Sequence, residues 1–157
     1  SDLSLVITGG ETEYTDQLKR LVKQLSLNGK VEFLGLVKER DLARLYANCS
    51  VYLYTAPEED FGMGIVEAMA QVAPVVAWDN AGPAKIIVNG KTGLLALPFE
   101  ISDFTGKIQR LLSEPTFAAK IGKSGYNEVA NKFSYQKHLE MLERLFNDVR
   151  RHKEISD

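Results

Sequence analysis

The sequence predicts an α/β protein built on a doubly wound parallel sheet, with extra helices at its C-terminal end. Short apolar, β-branched runs alternate with stretches whose apolar residues recur at helical spacing. Glycine- and proline-containing turns separate them, and this alternation is typical of a parallel sheet covered by helices. Ligands of such sheets bind beyond the carboxyl ends of the strands.

The first third of the chain predicts three strands and two helices in alternation. Residues 3–8 form an apolar run that predicts a buried strand, closed by Gly9-Gly10. Apolar residues at helical spacing follow, and Gly29 is expected to end that helix. The elements expected next are a strand at 31–34, a helix around Leu42-x-x-Leu45-Tyr46 and an aromatic, β-branched strand at 51–54.

Pro57 interrupts the pattern before a helix predicted at 63–71, which is apolar nearly all round and therefore buried. A strand at 74–77 begins with proline, which is tolerated at that position. Pro115 is placed to open a helix in its first turn, and Ser134 is expected to cap the last helix. The other elements expected here are a helix at 84–88, a strand at 94–97 and a helix at 101–112.

Two carboxylates, Glu59 and Glu67, flank a Phe61-Gly62-x-Gly64 turn that predicts a helix start. The unpaired amides and the positive dipole end of a helix start suit a phosphate, and a carboxylate accepts hydrogen bonds from hydroxyls. Together they indicate a hydroxylated and phosphorylated ligand, and a nucleotide-sugar fits. The alternative is that both residues cap the helix or lie on solvated surface, where acidic residues are common.

Composition excludes several classes of function. The chain has 157 residues and a net charge of −2, so nothing favours a nucleic-acid partner. No Cys/His cluster fits a metal site, and the Gly9-Gly10 turn lacks the glycine fingerprint of nicotinamide cofactors, so no cofactor is expected. The single Cys49 forbids an internal disulfide and favours a reducing, cytoplasmic compartment. No apolar run approaches the ~20 residues of a membrane span.

Seven short pieces of the chain occur in an order typical of one enzyme family. They are Phe33-Leu34-Gly35-x-Val37, Leu42-x-x-Leu45-Tyr46, Glu59-x-Phe61-Gly62, Glu67-Ala68-Met69-Ala70, Pro74-Val75-Val76-Ala77, Gly82-Pro83 and Asn89-Gly90-Lys91-Thr92-Gly93. On these pieces, residues 31–133 resemble the C-terminal, donor-binding domain of retaining GT-B glycosyltransferases of group 1, which carry an E-x7-E motif. The stretch from Glu59 to Gly64 looks most like mannosyltransferases of lipid-linked glycan assembly.

The resemblance implies a Rossmann-like half of a GT-B enzyme. It also implies a metal-independent, retaining hexose transfer, with mannose from GDP-mannose favoured, to a glycan or lipid-linked acceptor. Glu59 matches the catalytic position that contacts the donor sugar, and Glu67 matches the residue that holds the ribose hydroxyls. The other donor-binding positions act through their backbone, at the diphosphate or sugar for Gly62, Met63 and Gly64, and at the nucleobase for Leu36 and Val37. A plain strand-end turn remains the alternative for the last two.

The expected division is a nucleotide-sugar-binding domain at 1–133 and a helix at 134–157 that would pack toward an N-terminal acceptor domain. The family's diphosphate-binding Arg and Lys would precede Ser1, so this stretch alone is expected to transfer nothing. The basic cluster 150–153 fits either a solvated helix end or peripheral contact of the full-length protein with an anionic membrane.

Two alternatives stay open. One is another GT-B enzyme that uses a UDP-sugar, such as an epimerase or a glucan synthase, and the other is a non-catalytic binding module on the same fold. The chain also departs from the family at Val72, Ala81 and Lys85, where Gly, Gly and Glu are usual. Val72 is expected to end its helix differently from glycine, or to extend it.

Overall fold

The structure is a computed structural model that describes residues 3–154, without the side chains at 138, 148, 149 and 151–154. Its strand pairings are all parallel, which confirms the predicted α/β class. The chain divides into two compact units, Ser1–Arg44 and Leu45–Asp157. The elements are β1 (Leu5–Thr8), α1 (Glu13–Gln24), β2 (Val31–Gly35), α2 (Glu39–Asn48), β3 (Tyr52–Tyr54), α3 (Met63–Ala70), β4 (Val75–Trp78), α4 (Ala81–Ile86), β5 (Leu94–Ala96), α5 (Ile101–Ser113), α6 (Pro115–Lys132) and α7 (Tyr135–Glu154).

The first unit contains a two-stranded sheet in which β1 pairs with β2. Thr12 and Thr15 form a reciprocal capping box that begins α1. The prediction that Gly29 ends this helix is wrong. The helix ends at the cap Leu25, next to Ser26 with a positive φ of 56°, and Gly29 lies in the following turn with φ +77°.

The strand predicted to be buried is exposed. Leu5 and Val6 of β1 keep 42% and 38% of their residue surface accessible. Within the described chain β1 pairs with β2 alone, and α1 has no buried residue. A parallel strand is buried only where other elements cover its faces. The apolar run of β1 therefore does not by itself predict that the strand is buried.

The second unit holds a sheet in the order β3-β4-β5. The central strand β4 is buried throughout, as its apolar sequence predicts. Trp78 at its end packs against Phe104 of α5, with ring centroids 4.3 Å apart. Leu111 and Ile121 extend this core into α5 and α6, so these helices cover the sheet that carries the acidic segment.

Three helix starts in the second unit are predicted from sequence. Two of them, those of α6 and α7, are confirmed, and that of α4 is wrong. Pro115 opens α6, and the Ser134 hydroxyl accepts a hydrogen bond from the Lys137 amide before α7. The predicted helix at 84–88 instead begins at Ala81. Asn80 occupies the N-cap position in an extended conformation without a side-chain cap hydrogen bond. Pro83 therefore lies inside the first turn, where proline is tolerated.

Candidate functional site

The acidic segment is a loop tied to the turn after β4. The Asn80 side-chain amide donates to the Pro57 carbonyl at 2.9 Å, and the Gly82 amide donates to the Glu59 carbonyl at 2.7 Å. A Cβ atom at Gly82 would lie 2.6 Å from the carbonyl oxygens of Glu59 and Phe61. The close approach therefore requires glycine at Gly82, and it holds the loop in place at the carboxyl ends of β3 and β4.

Glu59 turns back onto the start of α3. Its Oε1 accepts hydrogen bonds from the amides of Phe61, at 3.4 Å, and Gly62, at 3.2 Å. Interaction with the Tyr54 hydroxyl, followed by these two amides, lowers the pKa of Glu59 below its ordinary value. The carboxylate is therefore ionised at neutral pH and fixed beside the helix start.

The start of α3 offers free donors. Gly62 precedes the helix in the left-handed conformation, with φ 95°, and no side chain caps it. The amides of Ile65 and Val66 bond to the Gly62 carbonyl, whereas those of Met63 and Gly64 have no acceptor among the described residues. Unpaired amides at the positive end of a helix dipole are suited to bind an anion.

Glu67 lies one turn further along α3 and is exposed. Its Oε2 accepts a hydrogen bond from the Tyr46 hydroxyl at 3.4 Å, and its other oxygen has no partner among the described residues. The structure thus brings Glu59, the Met63 and Gly64 amides and Glu67 together around the first two turns of one helix. Ionised carboxylates beside free amides can bind hydroxyls and phosphate of one ligand.

Leu36 and Val37 belong to the first unit. They follow β2, which ends at Gly35 with φ +65°; Leu36 is 86% exposed and Val37 is half-buried. At the carboxyl ends of β1 and β2 the same unit forms a shallow cleft. Its lining includes Ile7, Gly9, Gly10, Thr15, Phe33 and Gly35.

Sequence reasoning missed the side chains that support the site, namely Tyr46, Tyr52, Tyr54 and Asn80. One signal was available, because Tyr52 and Tyr54 stand two positions apart and so share one face of β3. The contribution of Asn80 had no local signal, since its partner Pro57 lies 23 positions away.

The described residues hold no group of three or more His, Cys, Asp or Glu side chains placed to bind a metal ion. None of their helices is long and apolar enough to cross a membrane. The basic cluster 150–153 lies almost entirely outside the described side chains.

Known proteins are similar to this chain in sequence and architecture. The family profile of glycosyl transferases group 1 matches residues 1–128. The alpha-1,3/1,6-mannosyltransferase ALG2 of Dictyostelium discoideum is 32% identical over 142 residues, which cover 86% of this chain and 34% of that protein. This chain therefore spans about a third of the length of that curated relative.

Two solved structures resemble the chain. The crystal structure of Anabaena Alr3699/HepE in complex with UDP and glucose has a TM-score of 0.84 and 25% identity, covering 92% of this chain and 40% of that one. The C-terminal domain of LpcC, a glycosyl transferase group 1 protein of Francisella tularensis, has a TM-score of 0.76 and 26% identity, covering 84% of this chain and 70% of that one. The family profile covers more than half of the chain, and the architecture agrees with it. The chain therefore belongs to the group 1 glycosyl transferases.

Proposed function

We propose that this chain is the donor-binding half of a retaining, metal-independent glycosyltransferase that transfers a hexose to a glycan or lipid-linked acceptor. Mannose from GDP-mannose is the favoured donor. Glu59 acts at the donor sugar and Glu67 holds the ribose hydroxyls. A separate N-terminal domain binds the acceptor, so the chain alone transfers nothing.

The arrangement at the start of α3 carries this proposal. Two carboxylates lie on either side of the unpaired Met63 and Gly64 amides. Glu59 is already fixed by two amides, whereas Glu67 is exposed and keeps one oxygen free. A nucleoside diphosphate sugar has hydroxyls on both sides of its diphosphate, so one ligand can satisfy both carboxylates and the amides between them.

The chemistry proposed for the site is electrostatic. Breaking a glycosyl–phosphate bond leaves negative charge on the departing diphosphate, and fixed donors stabilise such charge without reorganising during the reaction. The Met63 and Gly64 amides supply two such donors. Leu36 and Val37 frame the nucleobase in this proposal, through the backbone that follows β2.

A UDP-sugar is the alternative donor. The ALG2 relative is named as a mannosyltransferase, but the Anabaena structure was solved with UDP and glucose. Both donors have the same ribose and diphosphate, so the carboxylates and amides of α3 serve either. GDP and UDP differ only in the nucleobase, so binding measurements with both nucleotides distinguish the two donors.

Ligand-dependent thermal stability tests the proposal. A ligand present at 100 times its Kd stabilises a protein by about 2.7 kcal/mol, which for this size corresponds to several degrees at roughly 2–4 °C per kcal/mol. We expect GDP to raise the melting temperature of the chain and UDP and ADP to raise it less. A shift with UDP alone would discard mannose and keep the transferase, and no shift with any of the three would contradict donor binding by this chain.

The Glu67→Gln variant tests the ribose contact. Loss of a hydrogen bond to a charged group costs roughly 1.5–3 kcal/mol, so we expect GDP to bind about ten to a hundred times more weakly. Glu58→Gln is the matched control, since Glu58 is exposed and precedes the site by one residue. Equal affinity of Glu67→Gln and the control would remove Glu67 from the ribose role.

A further inference from the structure

Three tyrosines of the second unit lie together beneath the start of α3, and we call Tyr46, Tyr52 and Tyr54 the tyrosine cluster. The rings of Tyr46 and Tyr52 meet edge to face with centroids 5.0 Å apart, and those of Tyr52 and Tyr54 are 6.3 Å apart. Tyr46 is buried and the other two are half-buried. The proposed function assigns roles to the carboxylates and the amides of the site and none to this cluster.

Gly64 makes room for the cluster. A Cβ atom at Gly64 would lie 2.7 Å from the Tyr52 hydroxyl oxygen, and the nearest atoms of Tyr54 and Tyr46 would lie at 3.6 and 3.7 Å. A side chain here would displace the Tyr52 hydroxyl or move the helix. The glycine thus lets all three rings approach the helix segment whose amides are free.

The hydroxyl groups connect the cluster to Glu67. The Tyr46 hydroxyl donates to Glu67 Oε2 at 3.4 Å, and the ring of Tyr52 packs against the ring of Tyr46. A carboxylate only accepts, so the Tyr46 hydroxyl gives its one proton to Glu67 and is left as an acceptor toward Tyr52, whose interaction opposes the rise that burial causes in the pKa of Tyr46. Burial is the main reason that the pKa of Tyr52 is raised; the hydroxyl is protonated at neutral pH even without this shift, since an ordinary tyrosine has a pKa of about 10.

A second connection reaches Glu59. Interaction with the Tyr54 hydroxyl is the largest cause of the lowered pKa of the Glu59 carboxylate, which accepts hydrogen bonds from the Phe61 and Gly62 amides. Burial, and after it the interaction with Glu59, raises the pKa of Tyr54 to about 12. Tyr54 is therefore a neutral donor at physiological pH. Each of the two site carboxylates thus has a tyrosine partner from one connected cluster.

We propose that the tyrosine cluster positions both carboxylates of the site, with Tyr52 and Tyr46 orienting Glu67 and Tyr54 orienting Glu59. Tyr52 and Tyr54 stand two positions apart on one face of β3 and Tyr46 comes from α2, so one group of packed side chains supports the two carboxylates. The cluster acts through the carboxylates and touches no ligand itself. What the carboxylates bind rests on the proposed function; their orientation by the tyrosines does not.

The orientation is tested without any ligand by NMR of the chain labelled with ¹³C at the tyrosine ζ carbons. Glu67→Gln should shift the ζ resonances of Tyr46 and Tyr52, and Glu59→Gln should shift mainly that of Tyr54. The matched control, Glu58→Gln, should leave all three in place. If both site variants leave the three resonances where the control does, or all variants shift them alike, the proposal is overturned.

Binding measurements test what the orientation does. We expect Tyr46→Phe to weaken GDP binding about threefold to tenfold, as a lost hydrogen bond of ordinary strength would, and to leave binding of 2′,3′-dideoxy-GDP unchanged. On the Glu67→Gln background the same change should have no further effect. Tyr135→Phe is the control, because Tyr135 is 76% exposed on α7.

The outcomes separate the two ideas. A purely structural role of Tyr46 would weaken both nucleotides equally and would add to the effect of Glu67→Gln, which would contradict the positioning role. Should the unmodified chain bind neither GDP nor UDP, the proposed function fails, and the ζ-carbon shifts alone still decide whether the tyrosines orient the carboxylates.

Discussion

At the scale of single residues, Val72 is held in a conformation that favours glycine. It follows α3 with φ 65°, its amide donates to the Met69 carbonyl, and the Ala73 amide donates to the Ala68 carbonyl. These two hydrogen bonds form a Schellman motif, the helix end at which glycine is usual. The expectation that valine ends the helix differently or extends it is therefore wrong, because Val72 adopts the left-handed conformation and forms the hydrogen bonds of a glycine-type helix end.

We expect Val72→Gly to stabilise the chain by up to about 1 kcal/mol. A left-handed conformation costs an L-residue roughly 1–2 kcal/mol, and this exceeds the ~0.5–1 kcal/mol that glycine's extra freedom in the unfolded chain costs. Val72 is also nearly half exposed, so little packing is lost. Urea denaturation measures the change.

Val88→Gly is the matched control, since Val88 is equally exposed and is absent from the residues with positive φ. It should lower the free energy of unfolding. Destabilisation by Val72→Gly as large as that of the control would show that Val72 is not strained.

At the scale of elements, the loop before α3 and the turn that begins α4 form one support for the site. The two hydrogen bonds from Asn80 and Gly82 join them, and Phe61 packs edge to face on Phe133, with centroids 5.6 Å apart. Because Glu59 lies in the middle of this loop, its position depends on contacts made by its own backbone and not by its carboxylate alone.

Gly82→Ala tests this support. Its Cβ would meet the backbone of Glu59 and Phe61 at 2.6 Å, and backbone cannot give way as a side-chain tip can. We expect a loss of about 1–3 kcal/mol of stability, as for other overpacked sites, together with weaker nucleotide binding. Calorimetric unfolding and titration measure the two effects.

Gly106→Ala is the matched control, because Gly106 lies inside α5 with nothing within 4 Å of the added Cβ. Alanine is the better helix former there by roughly 1 kcal/mol, so this variant should gain stability. Equal behaviour of the two variants would mean that the loop and the turn do not depend on their close approach.

The order and type of elements, and the placing of Glu59 and Glu67 beside a helix start, could be predicted because their signals are local. Hydrophobic periodicity and turn residues act over a few positions. The Tyr46 contact to Glu67 spans 21 positions and the Asn80 contact to Pro57 spans 23, and no local pattern encodes such pairs. Exposure of β1 likewise depends on what covers it.

At the scale of the whole chain, burial is divided unequally between the two units. In the second unit Val75, Val76 and Ala77 of β4 are completely inaccessible and pair with strands on both sides. In the first unit β1 is exposed and has a strand partner on one side in the described sheet. The division into domains at 1–133 and 134–157 stays a prediction. Because burial differs between the two units, their local stability should differ as well.

Hydrogen exchange of the backbone amides measures the local stability of each strand. Amides of a buried central strand exchange only through large-scale unfolding, whereas those of an exposed edge exchange through local opening that costs much less free energy. We therefore expect the amides of β4 to be protected at least a hundredfold more strongly than those of β1 in the isolated chain. The site loop should fall between them, since it is exposed but tied by Gly82 and Asn80. Equal protection of β1 and β4 would show instead that the chain unfolds as one cooperative unit, and that the exposed strand is as stable as the core that carries the site.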